Sequence, residues 1–452
     1  MIGNLLSGLI KRFILVIFLL SFSNIVLLSH LSPFGPLLNS FLAVLLIFIF
    51  IFVNFFPGTE KLTTSVRLNI MKGGYELVVL TAIVYALEMP SYIMIFIFMS
   101  LANNWLVLLL NAIVFHIIIA ILLLNGVLRM VFSSVQLTII IRICLLLFWW
   151  VPVVNLVIMW KICRTIRLEY LFERYKEELN ITRAENEVCK TKYPILLVHG
   201  IFFRDWLFIN YWGRIPNELT RNGATIFYGR QQSAADITKS GQELKEQILK
   251  IIAQTGCEKV NIIAHSKGGL DARYAVSCLF MDKHVASLTT ICTPHHGCNF
   301  VDRVLKKLPE NFVLAVSKRY NTIYKKLGDY NPDFYGGVRD LTAERCRIFN
   351  QQVKNRDGVL YQSVGSQVRG FIGSGFPKNI GYLMIKGKDG PNDGLVSVES
   401  SKWGNYLGTI KPQGLKGISH SDMIDMMRKN IKGFDVCEFY VDIVKDLKKR
   451  GL

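Results

Sequence analysis

The sequence contains no Cys-x-x-Cys pair, and its nine cysteines (Cys144, Cys163, Cys189, Cys257, Cys278, Cys292, Cys298, Cys346 and Cys437) follow no regular spacing. The odd count and uneven intervals exclude a zinc knuckle and argue against the disulfide framework of a small secreted domain. Acidic residues are scarce: 33 Asp and Glu stand against 52 Lys and Arg, a formal charge of +19. No module that reads nucleobases accompanies that charge, so nucleic acid is not an expected partner. An anionic membrane surface fits better, with a solvated basic surface as the plain alternative. Polar residues are sparse before Trp160, which excludes an ordinary soluble fold for that part of the chain.

What is present there is hydrocarbon. Of the 452 residues, 51% are hydrophobic, concentrated in the first third. A helix needs about 20 apolar residues to cross a bilayer. Residues 13–28, 37–56, 77–101 (interrupted by Glu88 and Pro90), 105–124 and 143–160 (broken near Pro152) are the candidates. The first lacks a convincing cleavage site and precedes further spans, so it reads as an anchor. Lys11 and Arg12 place the N-terminus inside, with the loops carrying Lys61, Arg67 and Lys72, and Arg129. A fifth full crossing would put Lys161, Arg164 and Arg167 outside. A re-entrant hairpin at Pro152, or division of the Glu88 segment into two short spans, restores the bias. The expectation is a multi-pass domain over 1–160 with about four to six spans, the following half lying on the cytoplasmic face. Glu76, Glu88, Asn111, His116 and Arg142 lie in or beside these spans. Pairing among themselves is favoured over a transport path, because no repeat of discontinuous helices is visible. Residues 161–190 read as a charged amphipathic linker helix, either at a membrane surface or as a spacer.

From Lys192 onward, short apolar runs alternate with helical periodicity, which implies a parallel sheet covered on both faces. The run KVNIIA enters His265-Ser266-Lys267-Gly268-Gly269 and is followed by a helix. A nucleophile elbow needs small residues two before and two after its serine, and Ala264 and Gly268 fill those places, alanine standing where glycine is usual. Ser266 is the candidate nucleophile. A serine hydroxyl needs a base to take its proton, and the chain order on this architecture is Ser, acid, His. Of the histidines after Ser266, His284, His295 and His296 come before enough chain to complete the sheet, leaving His420. Asp393, in the turn PNDGLV, is the candidate acid, with Asp389 as runner-up. Backbone N–H groups of Ile201, after His199-Gly200, and of Lys267, after the serine, are the candidate oxyanion donors. The Lys267 side chain is expected to face solvent or substrate.

Taken together, YPILLVHGI, YWGRIPNELTRNGA, VNIIAHSKGG and ICTPHHG resemble bacterial triacylglycerol lipases of the α/β-hydrolase superfamily. LTAERCRIFNQQV and NDGLV look like later segments of that family. The resemblance covers most of the chain from residue 193 and does not extend to the apolar part. It implies an α/β-hydrolase domain over 191–452, a cap or lid around 300–340, and a triad of Ser266, Asp393 and His420. It implies an ester substrate, and lipid esters follow from the bilayer anchor. No organic cofactor is required. Many such lipases hold a structural calcium near the catalytic histidine, and Asp422 matches one ligand position. An acyltransferase or thioesterase with the same triad stays open, as does a transporter or sensor carrying an idle hydrolase module.

Overall fold

The computed structural model describes residues 2–56, 63–101, 104–201, 210–371, 382–383, 385, 387, 389–411 and 417–452. They form two units, Met1–Glu178 and Leu179–Leu452.

The first unit is all-helical: α1 (Ile2–Ser23), α2 (Ile25–Leu31), α3 (Pro36–Phe55), α4 (Val66–Leu101), α5 (Trp105–Ser133), α6 (Ile139–Phe148) and most of α7 (Val154–Arg183). Among the described residues three helices are long and apolar enough to cross a membrane: Pro36–Phe55, Val66–Ile97 and Trp105–Ser133. A fourth crossing results if α1 and α2, bent by 71°, act as one broken span. Leu19, Leu77, Leu80, Phe115 and Leu122 form the shared interior of α1, α4 and α5.

Two sequence expectations change here. Pro90 does not interrupt its segment; it lies inside the continuous α4. A proline there removes one backbone donor, a loss that apolar helices packed against neighbours tolerate. The break expected near Pro152 is present, and what changes is where the charged helix begins. The helix α6 has only 10 residues, Val153 adopts a left-handed φ of 58°, and α7 begins at Val154. The charged helix therefore starts before 161 and ends at Arg183.

The polar residues that the sequence singles out in this unit each make a polar contact, as the cost of burying them requires. Arg12 Nη2 lies 2.6 Å from Glu76 Oε1. Asn24 donates to Glu88 at 2.8 Å and accepts from Asn111 at 2.7 Å. Arg67 meets Glu169 at 2.6 Å, and Arg142 donates to the Ser134 carbonyl at 2.7 Å. His116 Nδ1 contacts the Ala112 carbonyl at 2.7 Å.

The second unit is built on β1 (Ile195–Val198), α8 (Ile215–Arg221), β2 (Ile226–Tyr228), α9 (Ile237–Thr255), β3 (Val260–His265), α10 (Gly268–Cys278), β4 (Val285–Ile291), α11 (Asn299–Lys307), α12 (Glu310–Lys326), α13 (Phe334–Arg339), α14 (Ala343–Gln352), β5 (Leu360–Ser366), β6 (Asn405–Ile410) and α15 (Val436–Lys449). The six strands form one sheet in the order β2-β1-β3-β4-β5-β6, all pairs parallel. Side chains alternate across a strand. Ile195 and Leu197 of β1 and Ile263 of β3 pack with Trp212, Leu219, Tyr440 and Val444 on one face. Leu196, Val198, Ile262 and Ala264 pack with Leu244, Ile248, Ala272 and Val276 of α9 and α10 on the other. Burial on both faces is why these strands read as continuous apolar runs.

The stretch expected as a cap, around 300–340, holds three helices, α11, α12 and α13. Phe312, Leu314 and Ile323 of α12 are exposed. The carboxylate of Asp329, just beyond α12, accepts from Ser233 N–H at 2.8 Å and Ala234 N–H at 3.2 Å, tying this stretch to the loop after β2.

Candidate active site

Parallel sheets place ligands at the carboxyl ends of their strands, and the candidate residues gather there. Ser266 follows β3 directly. Its N–H donates to Ile291 O at 2.9 Å, one more rung of the ladder to β4. The backbone then turns sharply, with φ of 55° at Ser266, a region costly for a residue with a side chain. The turn is held from three sides. Thr293 Oγ1 donates to Ser266 O at 2.8 Å. A Cβ on Gly268 would sit 2.3 Å from the His199 carbonyl oxygen, and one on Gly200 would sit 2.8 Å from Ser266 Cβ. Only glycine permits either approach, which explains the Gly268 that marked the motif.

The acid and the base arrive on neighbouring loops. Val368 N–H, beyond β5, donates to Asn392 O at 2.9 Å, and Ile418 N–H donates to Gln367 O at 2.9 Å. Both loops thus hang on the same extension of β5. His420 N–H donates to Asp393 O at 3.0 Å, and His420 Nδ1 lies 2.7 Å from Asp393 Oδ2. The other carboxylate oxygen accepts from Leu395 N–H at 2.9 Å and Val396 N–H at 2.8 Å. An ionised carboxylate only accepts, so the proton resides on Nδ1 and the Nε2 lone pair of neutral His420 is left as a base. Asp393 is 1% exposed and His420 7%, so the pair interacts where water screens little. Asp389, the runner-up, is displaced by Asp393. Among the described residues Ser266 Oγ makes no hydrogen bond; such contacts are commonly long before substrate binds.

The two expected oxyanion donors flank the serine. Lys267 is its neighbour in the chain, and Ile201 follows Gly200, which lies against Ser266 Cβ. Among the described residues neither N–H is taken by a protein acceptor. The Lys267 side chain corrects its expectation. It is 2% exposed, and its Nζ reaches Asp271 Oδ1 at 2.6 Å and Ser240 Oγ at 3.2 Å, linking α10 to α9. Burial pushes the Asp271 carboxyl up to about 7, opposed by Lys267.

Among the described residues, those around Asp422 are committed to other partners. Asp422 Oδ2 accepts from Ser419 N–H at 2.9 Å and Ser419 Oγ at 2.6 Å. The pocket beside it also holds Asp425, whose two oxygens are taken by Arg214 at 2.7 and 2.9 Å. Among the described residues that line that pocket, a cation that seeks six to eight oxygens finds no uncommitted second carboxylate. The chemistry of Asp422 here is that of a turn-holding acceptor.

Three neighbours of the triad gave no signal in the sequence. Cys292, buried, sits with φ of 51° at the end of β4; its Sγ, an Asp393 oxygen and a His420 nitrogen lie within 4.8 Å of one another. His265 and Tyr211, both buried, pack beside His420 and Gly200. His295, rejected as the base by chain order, is fully buried, bonds Thr290 Oγ1 at 2.9 Å and stacks on Trp403 at 5.4 Å.

Residues 195–327 match the family described as "Putative serine esterase (DUF676)". The chain is 30% identical over 273 residues to triacylglycerol lipase 2 of Saccharomyces cerevisiae, spanning 55% of this chain and 76% of that protein. The chain belongs to the triacylglycerol lipase family. It is also 30% identical over 249 residues to the triacylglycerol lipase of Vibrio cholerae, spanning 50% of this chain and 78% of that protein. Among solved structures, Staphylococcus hyicus lipase is 20% identical, with a TM-score of 0.45 over 58% of this chain and 97% of that one. Family membership makes the protein a serine ester hydrolase, and its own parallel sheet and elbow give it the α/β-hydrolase architecture. The esterase match begins at residue 195, after the N-terminal unit.

Proposed function

We propose that the protein is a membrane-anchored lipase that cleaves lipid acyl esters through an acyl-enzyme on Ser266. The observation that carries this reading is the 2.7 Å contact between His420 Nδ1 and Asp393 Oδ2, set beside a serine on a strained turn at the sheet's carboxyl edge. Substrate carbonyl carbon meets Ser266 Oγ while His420 Nε2 takes the hydroxyl proton. The resulting oxyanion is received by the N–H groups of Ile201 and Lys267, and such a donor is worth about a hundredfold to a thousandfold in rate. Imidazolium returns its proton to the departing alkoxide, leaving the acyl-enzyme. Water repeats the sequence with the same base and frees the acid. Asp393 holds the Nδ1 tautomer and offsets the charge on the ring.

The lipid character of the substrate follows from the relatives' activity and from three helices apolar enough to cross a bilayer. A panel of acyl esters of graded length, with glycerides and phospholipids in mixed micelles, tests it on wild type and Ser266→Ala. Hydrolysis of long-chain glycerides that vanishes in Ser266→Ala is the expected result. Activity confined to short soluble esters removes the lipase reading, and product that appears as a new ester when an alcohol acceptor is added favours an acyltransferase instead.

A further inference from the structure

Tyr211, His265 and the backbone of His420 form an unbroken line of hydrogen bonds that the reaction above does not use. Gly200 N–H meets Tyr211 Oη at 3.0 Å. Tyr211 Oη meets His265 Nδ1 at 2.7 Å. His265 Nε2 meets the His420 carbonyl oxygen at 3.2 Å. The direction of each bond is determined by its ends. A carbonyl oxygen can only accept, so Nε2 of His265 carries the proton. Neutral imidazole then has a bare Nδ1, which accepts from the Tyr211 hydroxyl. That hydroxyl has spent its one proton, so it accepts from Gly200 N–H. Burial and the adjacent His420 hold the His265 imidazole well below its ordinary range, which keeps the neutral ring this pattern needs.

The line joins three segments that are far apart in sequence. Gly200 precedes Ile201, the oxyanion donor after β1. His265 precedes Ser266. His420 bears the base, and its ring lies 4.4 Å, centroid to centroid, from the ring of His265. With Gly200 N–H committed to Tyr211, Ile201 N–H is the first amide of that loop left for substrate. Buried chains of hydrogen bonds rigidify their surroundings when every member is satisfied, and Tyr211, His265 and His420 are 4%, 1% and 7% exposed.

We propose that Tyr211 and His265 are positioning residues that keep the oxyanion loop and the His420 base in register with Ser266. The proposal rests on the triad reading above. It assigns no chemical step to either side chain; both act through the atoms they hold.

The test uses the full chain in detergent micelles and a soluble short-chain ester, with competent sites counted by fluorophosphonate titration. Tyr211→Phe and His265→Leu are each expected to lower kcat per labelled site about tenfold or more with KM changed less than about twofold, because a displaced donor or base costs the transition state and not ground-state binding. His265→Gln, whose amide N–H can replace Nε2–H toward the His420 carbonyl, is expected to recover a substantial part of that loss. Wild-type kcat in Tyr211→Phe and His265→Leu overturns the proposal. So does a loss confined to KM or to the number of labelled sites, or a His265→Gln chain no better than His265→Leu. Ser266→Ala is the separate control: if it still hydrolyses the ester, the triad reading has failed and not merely the positioning role.

Discussion

His420 Nδ1 lies 2.7 Å from Asp393 Oδ2, and the second oxygen of that carboxylate is held by the N–H groups of Leu395 and Val396. The carboxylate therefore cannot swivel, and the imidazole it holds presents Nε2 in one direction. This is the geometric basis of the proposed chemistry, and it makes the first prediction direct. Asp393→Asn keeps shape but offers an N–H where the imidazole needs an acceptor, favouring the other tautomer. The expected loss is about 10⁴-fold in kcat, read by steady-state ester hydrolysis, with thermal stability little changed. A variant within tenfold of wild type would mean that Asp393 is not the orienting acid.

Gly268 is a steric requirement. A methyl group there would lie 2.3 Å from the His199 carbonyl oxygen and 2.9 Å from that of Val198, both backbone atoms in a fixed strand end. Gly268→Ala is expected to destabilise the hydrolase unit by about 3 kcal/mol or more and to displace Ser266. Thermal denaturation and fluorophosphonate labelling check the two effects separately.

Arg214 clamps the segment beyond His420. Its guanidinium and its own N–H together make three bonds to the Asp425 carboxylate at 2.7, 2.9 and 2.9 Å, and Nη1 adds Asn430 at 2.7 Å. Asp425 is 1% exposed on its side chain, so Arg214→Ala leaves a buried carboxylate uncompensated. The expected cost is about 3 kcal/mol. A double change, Arg214→Met with Asp425→Leu, should recover much of it, and denaturation midpoints of the three chains decide.

The pH dependence of stability has two opposing contributions. Burial holds His265 and His295 well below their ordinary range. The unfolded chain protonates both near pH 6.5 while the folded chain does not, so their stabilisation is whole above that value and is lost as pH falls toward the folded values. Each contributes about 1.4 kcal/mol per pH unit. Asp271 works the other way. Its folded value of about 7 exceeds the ordinary carboxylate value, so its contribution is whole in acid and is lost as pH rises to about 7. Asp340, whose carboxyl burial also raises, acts with Asp271, so the histidines set a fall in stability below about pH 6.5 and the carboxyls oppose it. His295→Gln should flatten this fall and Asp271→Asn should steepen it. Thermal midpoints between pH 4.5 and 8 (roughly the window these groups span) are the measurement, and an unchanged slope in both variants would refute the assignment.

Much of the site was legible because its chemistry is local in sequence. Ala264, Ser266 and Gly268 advertise the elbow since the turn admits only small neighbours. The runs ILLV and VNIIAH read as interior strands because both of their faces are covered. The candidate base His420 followed from chain order, which a sheet grown outward from β3 imposes, while the acid stayed open between Asp393 and Asp389. Other features were hidden for equally physical reasons. Lys267 reads as an exposed lysine until α9 brings Ser240 to its Nζ. Pro90 reads as a breaker until the packed helical context carries the chain through it.

What the amino-acid order determined by itself is the division of the chain into an apolar part and an alternating β/α part, the strained serine turn, and the direction of the sheet, since hydrophobic period and small-residue spacing are properties of a dozen neighbouring residues. Only the tertiary structure decided that Asp393 and not Asp389 meets His420, that Asp422 holds a turn, and that Tyr211 and His265 join Gly200 to the His420 carbonyl. Those are matters of a few tenths of an ångström between atoms up to 220 positions apart, and hydrogen bonds, unlike hydrophobic periodicity, leave no repeating trace along the chain.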